Sequence, residues 1–286
     1  MTSKVFINDN IYAAKDAAIS ILDRGYLFSD GIYELIPYFN KKSFLFDEHY
    51  LRLEKSLKSI ELENPFDKKT WLNKIDSFIK ECRYNNFALY IQVTRGVPLN
   101  ISDGILREHA ATKEYKSTVS MFCYEIKELS KESPRVQSVI TAEDKRWLKC
   151  DIKSIALLFN AHTKSMAYKK GAYEAILSRN DVVTEGCSSN VFIIQNKIIK
   201  TSPKSNLILP GVTRDFIIEK ILKKQKYEIS EAEFSKKELL KADEVFITNS
   251  TQGILSIGKI DNQVISNGKS GKITTQIYKN FIDYLK

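Results

Sequence analysis

The chain has 286 residues, 43% of them hydrophobic, enough for one large or two medium domains with a substantial core. No apolar run approaches the roughly 18 residues of a membrane span, and Met1-Thr-Ser-Lys-Val-Phe-Ile7 lacks the apolar segment of a secretion signal, so neither is expected. A formal charge of +9 raises nucleic-acid binding, yet the lysines are scattered among Asn and Ile along the whole chain rather than gathered into a patch.

In chain order the pattern is mixed α and β without internal repeats. Residues 4–46 alternate strands and turns: Val5-Phe-Ile7, a turn at Asp9-Asn10, Ile32 to Phe39, and Ser43 to Phe46 after Asn40-Lys-Lys42. A helix is predicted from Asp47 through Tyr50, Leu53, Leu57 and Ile60. A second follows Thr70 as N-cap, with Trp71, Ile75, Phe78, Ile79 and Cys82 on one face. Strands are expected at Phe87 to Thr94 and Thr118 to Tyr124, with a polar excursion from Asn100 to Tyr115 between them. Charged residues from Glu125 to Arg135, with Pro134 among them, read as a linker. Strands then come at Val136 to Thr141 and Ala172 to Ser178, followed by turns at Arg179-Asn-Asp181 and Asn196-Lys197. One helix follows Thr213, with Phe216, Ile217 and Ile221 inward, and a last one carries Ile273, Ile277, Phe281 and Tyr284. The expectation is two α/β domains: residues 1–125, a linker at 126–135, and residues 136–286.

Candidate chemistry sits in the second half. The cysteines Cys82, Cys123, Cys150 and Cys187 have no Cys-x-x-Cys spacing, and His49, His109 and His162 are not paired at ligand spacing. That suits a reducing cytosol and argues against a metal site. Thr184-Glu-Gly-Cys-Ser-Ser-Asn190 runs into the apolar Val191-Phe-Ile-Ile194, which puts the Glu185 carboxylate at the lip of a buried strand, with small residues that permit close approach. Nothing basic adjoins it, so a partner must come from the fold or from a ligand; the alternative is an ordinary turn or cap. Leu209-Pro-Gly-Val-Thr-Arg-Asp215 opens a helix at Thr213 and offers N–H groups to a phosphate, or is simply a capped helix. Thr248-Asn-Ser-Thr-Gln-Gly253 is a second hydroxyl-rich turn after a strand from Glu244 to Ile247. Lys153 precedes the apolar run Ile155-Ala-Leu-Leu158, where burial would favour its neutral amine and Schiff-base chemistry; the alternative is a solvated surface lysine.

Taken together these segments resemble the class IV pyridoxal-phosphate aminotransferases. The matching residues are Glu185-x-Cys187-x-x-Asn190-Val-Phe192, Ile199-x-Thr201 and Leu209-x-Gly211-Val212-x-Arg214. Further matches are Asp23-Arg-Gly-Tyr-Leu-Phe-Ser-Asp-Gly-Ile-Tyr-Glu34, Glu48-His-Tyr-Leu-Arg52, Gln92-Val-Thr-Arg-Gly96 and Arg146-Trp-Leu-Lys-Cys-Asp-Ile-Lys-Ser154. The resemblance implies a two-domain α/β (α+β mixed) fold with the pyridoxal 5′-phosphate site between the domains and the cofactor lysine in the C-terminal one. It implies that Lys153 holds the cofactor covalently and moves the substrate proton, and that Glu185 pairs with the pyridine nitrogen. Arg52, Val212, Thr213 and Ser250 match phosphate-binding positions, Leu209 the residue on the ring face, and Tyr33 a contact of the substrate carboxylate.

D-amino acid aminotransferases of this family trap that carboxylate with an Arg-x-His pair from the neighbouring subunit. Here Arg107-Glu-His109 is similar to it, displaced by an insertion at residues 99–105, and Arg95 is the alternative carboxylate contact. The implied protein is a cytoplasmic homodimer that moves an amino group from a D-amino acid such as D-alanine to a 2-oxo acid such as 2-oxoglutarate, with no metal, nucleic-acid or membrane partner. Alternatives of the same fold are an L-branched-chain aminotransferase, an aminodeoxychorismate lyase and an R-selective amine transaminase. A basic nucleic-acid-binding protein is the alternative outside enzymes.

Overall fold

Four strand pairs turn on two residues led by asparagine: Asn8-Asp9, Asn40-Lys41, Asn180-Asp181 and Asn196-Lys197, all with φ between 44° and 74°. Two successive left-handed residues match the twist of the strands they join, and Asn tolerates that conformation. The computed structural model describes residues 3–100 and 107–285. Of the insertion expected at residues 99–105, residues 101–105 lie outside the described residues.

The chain forms two compact units, residues 1–126 with 152–156, and residues 127–151 with 157–286. In the first unit the described residues form a six-stranded antiparallel sheet in the order Asn10–Ala13, Lys4–Ile7, Tyr115–Glu125, Phe87–Pro98, Gly31–Phe39, Lys42–Ser43. Helices Phe46–Ser59 and Lys68–Ile79 bury Leu53, Leu57, Trp71, Ile75 and Phe78 against Ile32, Ile36, Leu89, Ile91 and Val93 of the sheet. Each such side chain contributes roughly 1.5–3 kcal/mol by leaving water.

Several boundaries differ from the sequence expectation. Asp67, not Thr70, caps the second helix: its Oδ1 accepts from Thr70 N at 2.7 Å, so Thr70 lies inside the first turn. The strand expected to stop at Thr94 bulges between Thr94 and Val97 and continues to Pro98, paired with Tyr115. Gly96, at φ 81°, makes that bulge possible, because a Cβ there would collide with Lys116 O.

Lys153 does not belong to the C-terminal unit, contrary to the sequence reading. The backbone of 152–156 adds to the edge of Gly31–Phe39: Tyr33 N donates to Lys153 O at 2.9 Å, Ile155 N donates to Gly31 O at 3.1 Å, and Ile32 pairs with Ser154.

In the second unit the described residues form a nine-stranded mixed sheet. Its path runs Ile229–Glu231, Ile198–Thr201, Asn190–Gln195, Glu244–Asn249, Gly253–Ile260, Val136–Glu143, Glu174–Arg179, Val182–Gly186, with Gln263–Val264 beside Gly253–Ile260. Its central strands are buried along nearly their whole length, so Val191-Phe-Ile-Ile194 and Val245-Phe-Ile247 read as continuous apolar runs. Gly211, not Thr213, stands at the N-cap of the helix Val212–Phe216, which continues through Ile217–Leu222 in wider turns. In the last helix, Lys272–Tyr284, Ile277 and Phe281 point inward while Tyr284 is 55% exposed, its ring edge still against Phe216. No helix among the described residues is long and apolar enough to cross a membrane.

Candidate functional site

Glu185, at the end of Val182–Gly186, is buried and accepts three hydrogen bonds. Its Oε1 accepts from Arg146 Nη1 at 2.5 Å; its Oε2 accepts from Asn190 Nδ2 at 3.1 Å and Leu209 N at 3.0 Å. Arg146 is the protein partner that the local sequence lacked. It is clamped in turn by Asp144, with Nε to Oδ1 at 2.9 Å and Nη2 to Oδ2 at 2.8 Å. Thr184 Oγ1 donates to Asp144 at 2.9 Å, and Arg179 lies 3.4 Å from the same carboxylate while donating to Arg146 O at 2.7 Å. Two guanidiniums thus face two carboxyl groups. Burial pushes the Glu185 carboxyl up to about 7, against the downward pull of Arg146 and the Leu209 amide.

The small residues after Glu185 serve the fold itself. The buried Glu174 carboxylate accepts from Ser188 N at 2.9 Å, Ser188 Oγ at 3.1 Å and Ser189 Oγ, and a Cβ on Gly186 would collide with Ser189 Oγ. Asn190 Nδ2 also donates to Leu209 O at 2.9 Å, which ties the Leu209-Pro-Gly211 turn to Glu185. Gly211 has an ordinary extended φ, so its glycine is explained by space: a side chain would strike Asn190 Oδ1.

Helix Val212–Phe216 packs on Glu244–Asn249, and each element carries a buried threonine hydroxyl, Thr213 Oγ1 and Thr248 Oγ1, with no hydrogen-bond partner. Buried hydroxyls without partners are rare. Two of them on adjoining elements fit a group that brings anionic oxygens. Ser250 is half-buried in the turn after Thr248, held by Asn249 Oδ1 accepting from Thr251 N and Gln252 N. Val212 is buried and Leu209 half-buried. Arg214 in the same motif is structural, bonded to Ser202 O, Asp215 and Glu231.

In the first unit, Lys153 is fixed at its backbone by Tyr33 and by Ser56 Oγ, which accepts from Lys153 N at 3.2 Å. Its Nζ lies 4.2 Å from the Tyr33 ring centre. Tyr33 stacks on Tyr90, and Tyr90 on Phe122, a ladder across three neighbouring strands. The apolar run after Lys153 is not a buried core, since Leu158 is 85% exposed. Arg52 is buried and engaged with the fully buried Glu34, Nε to Oε2 at 3.0 Å and Nη2 to Oε1 at 2.6 Å. His49 Nδ1 lies 3.0 Å from Glu34 Oε1, and its Nε2 has no partner. Burial lowers the His49 pKa although Glu34 opposes it.

Arg107 and His109 are exposed and close to one ring. The Arg107 guanidinium is 4.6 Å and the His109 ring 5.2 Å from the centre of Phe28. Arg95, the alternative carboxylate contact, has its guanidinium turned inward, to Asp30 Oδ2 at 2.8 Å, Ile60 O at 2.7 Å and Glu61 O at 3.1 Å. Among the described residues no cluster of His, Cys, Asp and Glu could hold a metal ion.

Arg146, Asn190, Glu34 and Arg24 stand within the sequence motifs without a role of their own, His49 is weighed only as a metal ligand, and Asp144 and Glu174 lie outside every motif. A polar residue quoted inside a motif but given no role was the available signal.

The amino-transferase class IV family profile matches residues 31–260, and the chain belongs to that family. It is 38% identical to a D-alanine aminotransferase of Listeria innocua over 282 residues, covering 98% of this chain and 95% of the relative. It is 36% identical to a D-alanine aminotransferase of Bacillus licheniformis, covering 96% and 94%. Among solved structures, a branched-chain aminotransferase of Thermoproteus uzoniensis with norvaline superposes with a TM-score of 0.87 at 21% identity, covering 100% of this chain and 95% of that one. The Escherichia coli branched-chain amino acid aminotransferase gives 0.86 at 20% identity, covering 100% and 95%. At such identities the likeness is one of fold. The protein is a transaminase.

Proposed function

We propose that the chain is a pyridoxal-phosphate-dependent D-amino acid aminotransferase that moves the amino group of a D-amino acid such as D-alanine to a 2-oxo acid such as 2-oxoglutarate. The observation that carries this reading is the near full-length likeness, at 36–38% identity, to D-alanine aminotransferases. The residues fit the cofactor: a buried carboxylate with three donors, two buried hydroxyls without partners, and a lysine whose backbone is pinned on a strand edge. When bound, pyridoxal phosphate supplies the aldehyde that takes up the amino group and the ring that accepts the electron pair freed at Cα. Lys153 would attach it covalently and carry the proton between the substrate Cα and the cofactor C4′. Glu185 would hold a proton on the pyridine nitrogen, its carboxylate kept in place by Arg146, Asn190 and the Leu209 amide. Thr213, Thr248, Ser250, the Val212 N–H and Arg52 would meet the phosphate oxygens, and Leu209 the ring face.

Tyr33, Arg107 and His109 would bind the substrate α-carboxylate, the last two reaching into the site of a second copy in a homodimer. Four free cysteines suit a cytoplasmic setting. The deciding experiment supplies 2-oxoglutarate with D-alanine or with L-leucine and follows each oxo-acid product. Pyruvate from D-alanine is the expected outcome; 4-methyl-2-oxopentanoate from L-leucine with no pyruvate would replace this reading by branched-chain transamination.

A further inference from the structure

Arg24 has no place among the groups above, yet its guanidinium is buried and fully committed. It starts the five-residue helix Arg24–Phe28, capped by Asp23, whose Oδ1 accepts from Gly25 N at 2.7 Å and whose Oδ2 accepts from Thr94 Oγ1 at 3.0 Å. From this fixed base Arg24 Nε donates to Asp30 Oδ2 at 2.8 Å, Nη1 to Glu108 O at 2.8 Å and Nη2 to His109 O at 2.7 Å. Asp30 is already paired with Arg95, also at 2.8 Å, so neutralising that carboxylate does not require Arg24. What Arg24 alone adds is a pair of bonds to two successive carbonyls 84 and 85 residues away.

Phe28, one helical turn on, completes the grip. Its ring lies 4.8 Å from the Arg24 guanidinium, 4.6 Å from that of Arg107 and 5.2 Å from the His109 ring. The segment 107–110 is exposed and outside any helix or strand, so Arg24 and Phe28 supply much of what orders it. Two-point binding of a carboxylate requires donors at set positions, and disorder in the donors would be removed at the expense of affinity. A planar guanidinium fork suits two adjacent carbonyls, whereas an ammonium does not.

We propose that Arg24, with Phe28 beneath it, is the positioning residue of the carboxylate trap: it fixes where Arg107 and His109 present their donors and thereby sets the affinity for the α-carboxylate of the substrate. This rests on the reading in which Arg107 and His109 bind that carboxylate.

The test uses the cofactor-loaded protein and the variants Arg24→Met, Arg24→Lys and Arg107→Ala. The amine-donating half-reaction is followed by cofactor absorbance with D-alanine and with D-alaninol, which has a hydroxymethyl group in place of the carboxylate. Native trypsin cleavage after Arg107 is timed in parallel. Arg24→Met should raise the half-saturating D-alanine concentration on the order of 10- to 100-fold, as loosened positioning does. The maximal rate should stay within about threefold and the D-alaninol rate should be unchanged. Cleavage after Arg107 should accelerate, and Arg24→Lys should fall between wild type and Arg24→Met on every readout.

Equal losses on both substrates, or no change with D-alanine, would overturn the proposal; if Arg24→Met fails to fold, Arg24→Lys decides by the same criteria. If Arg107→Ala separates the two substrates while the Arg24 variants do not, Arg24 alone loses its role. If Arg107→Ala does not separate them, the trap itself is wrong and the role of Arg24 falls with it.

Discussion

Burial and Arg146 pull the Glu185 carboxyl in opposite directions, and burial prevails, leaving it at about 7 rather than the ordinary 4.5. A carboxyl poised there is ionised only on the alkaline side of that value, so uptake of a cofactor whose ring nitrogen needs the anion should weaken as the pH drops through it. Removing Arg146 takes away the downward pull. In Arg146→Met the acid limb of cofactor affinity should therefore move to higher pH, while Asp144 keeps Arg179 as a partner. An unmoved limb would show that Arg146 does not govern the carboxyl. Glu185→Gln should lower kcat by ~100-fold, the scale of losing one preorganised electrostatic partner, because an amide cannot hold a proton on a ring nitrogen. Lys153→Ala should abolish turnover, and measurable transamination by that variant would remove Lys153 from its role.

At the scale of elements, the strand Phe87–Pro98 carries its register past Thr94 only because Gly96 takes a left-handed φ against Lys116 O. Gly96→Ala should cost about 1–3 kcal/mol, read as a lower urea midpoint with an unchanged m-value. Sequence reasoning ended this strand at Thr94 because a bulge breaks the alternation that marks a strand. The same limit explains the caps. Thr70 and Thr213 are good N-cap residues by type, but Asp67 and Gly211 stand at the helix starts, since the cap is decided by where the preceding chain turns. The later asparagine turns and the continuous apolar runs of the second sheet were legible, because they rest on two adjacent residues or on one strand's own composition; the first turn, expected at Asp9-Asn10, lies one residue earlier at Asn8-Asp9.

For the whole molecule, the chain leaves the first unit after Ile126 and returns to it at Ile152–Ala156. A nick in the exposed stretch Lys131-Glu-Ser133 therefore should not release the N-terminal fragment, because its partner fragment still carries the strand paired with Gly31–Phe39. The nicked protein should elute as one species in native buffer and as two chains in denaturant; separation without denaturant would show that this pairing is weak.

The first unit should also be acid-sensitive. Burial alone would raise Glu34, but Arg52 and His49 hold it well below the usual carboxylate range. A carboxyl lowered in the folded state contributes stability that is present above its unfolded value near 4.5 and is lost as pH falls below it. Glu34→Gln should cost about 3–5 kcal/mol at pH 7 by removing the buried charge that Arg52 and His49 face, and should flatten the fall in stability between pH 4.5 and pH 3, followed by urea unfolding at each pH.

The sequence by itself determined the mixed α/β class, most of the hairpin positions and the family, because these depend on local backbone preference or on motifs read at short spacing. Only the tertiary structure decided that Arg146, 39 residues upstream, pairs with Glu185, that Lys153 rides on a strand of the N-terminal unit, and that Arg24 grips the backbone at Glu108 and His109. A buried charge takes whichever opposite charge or carbonyl the folded backbone brings within about 3 Å, and that distance is set by strand order and loop path, which no spacing along the chain encodes.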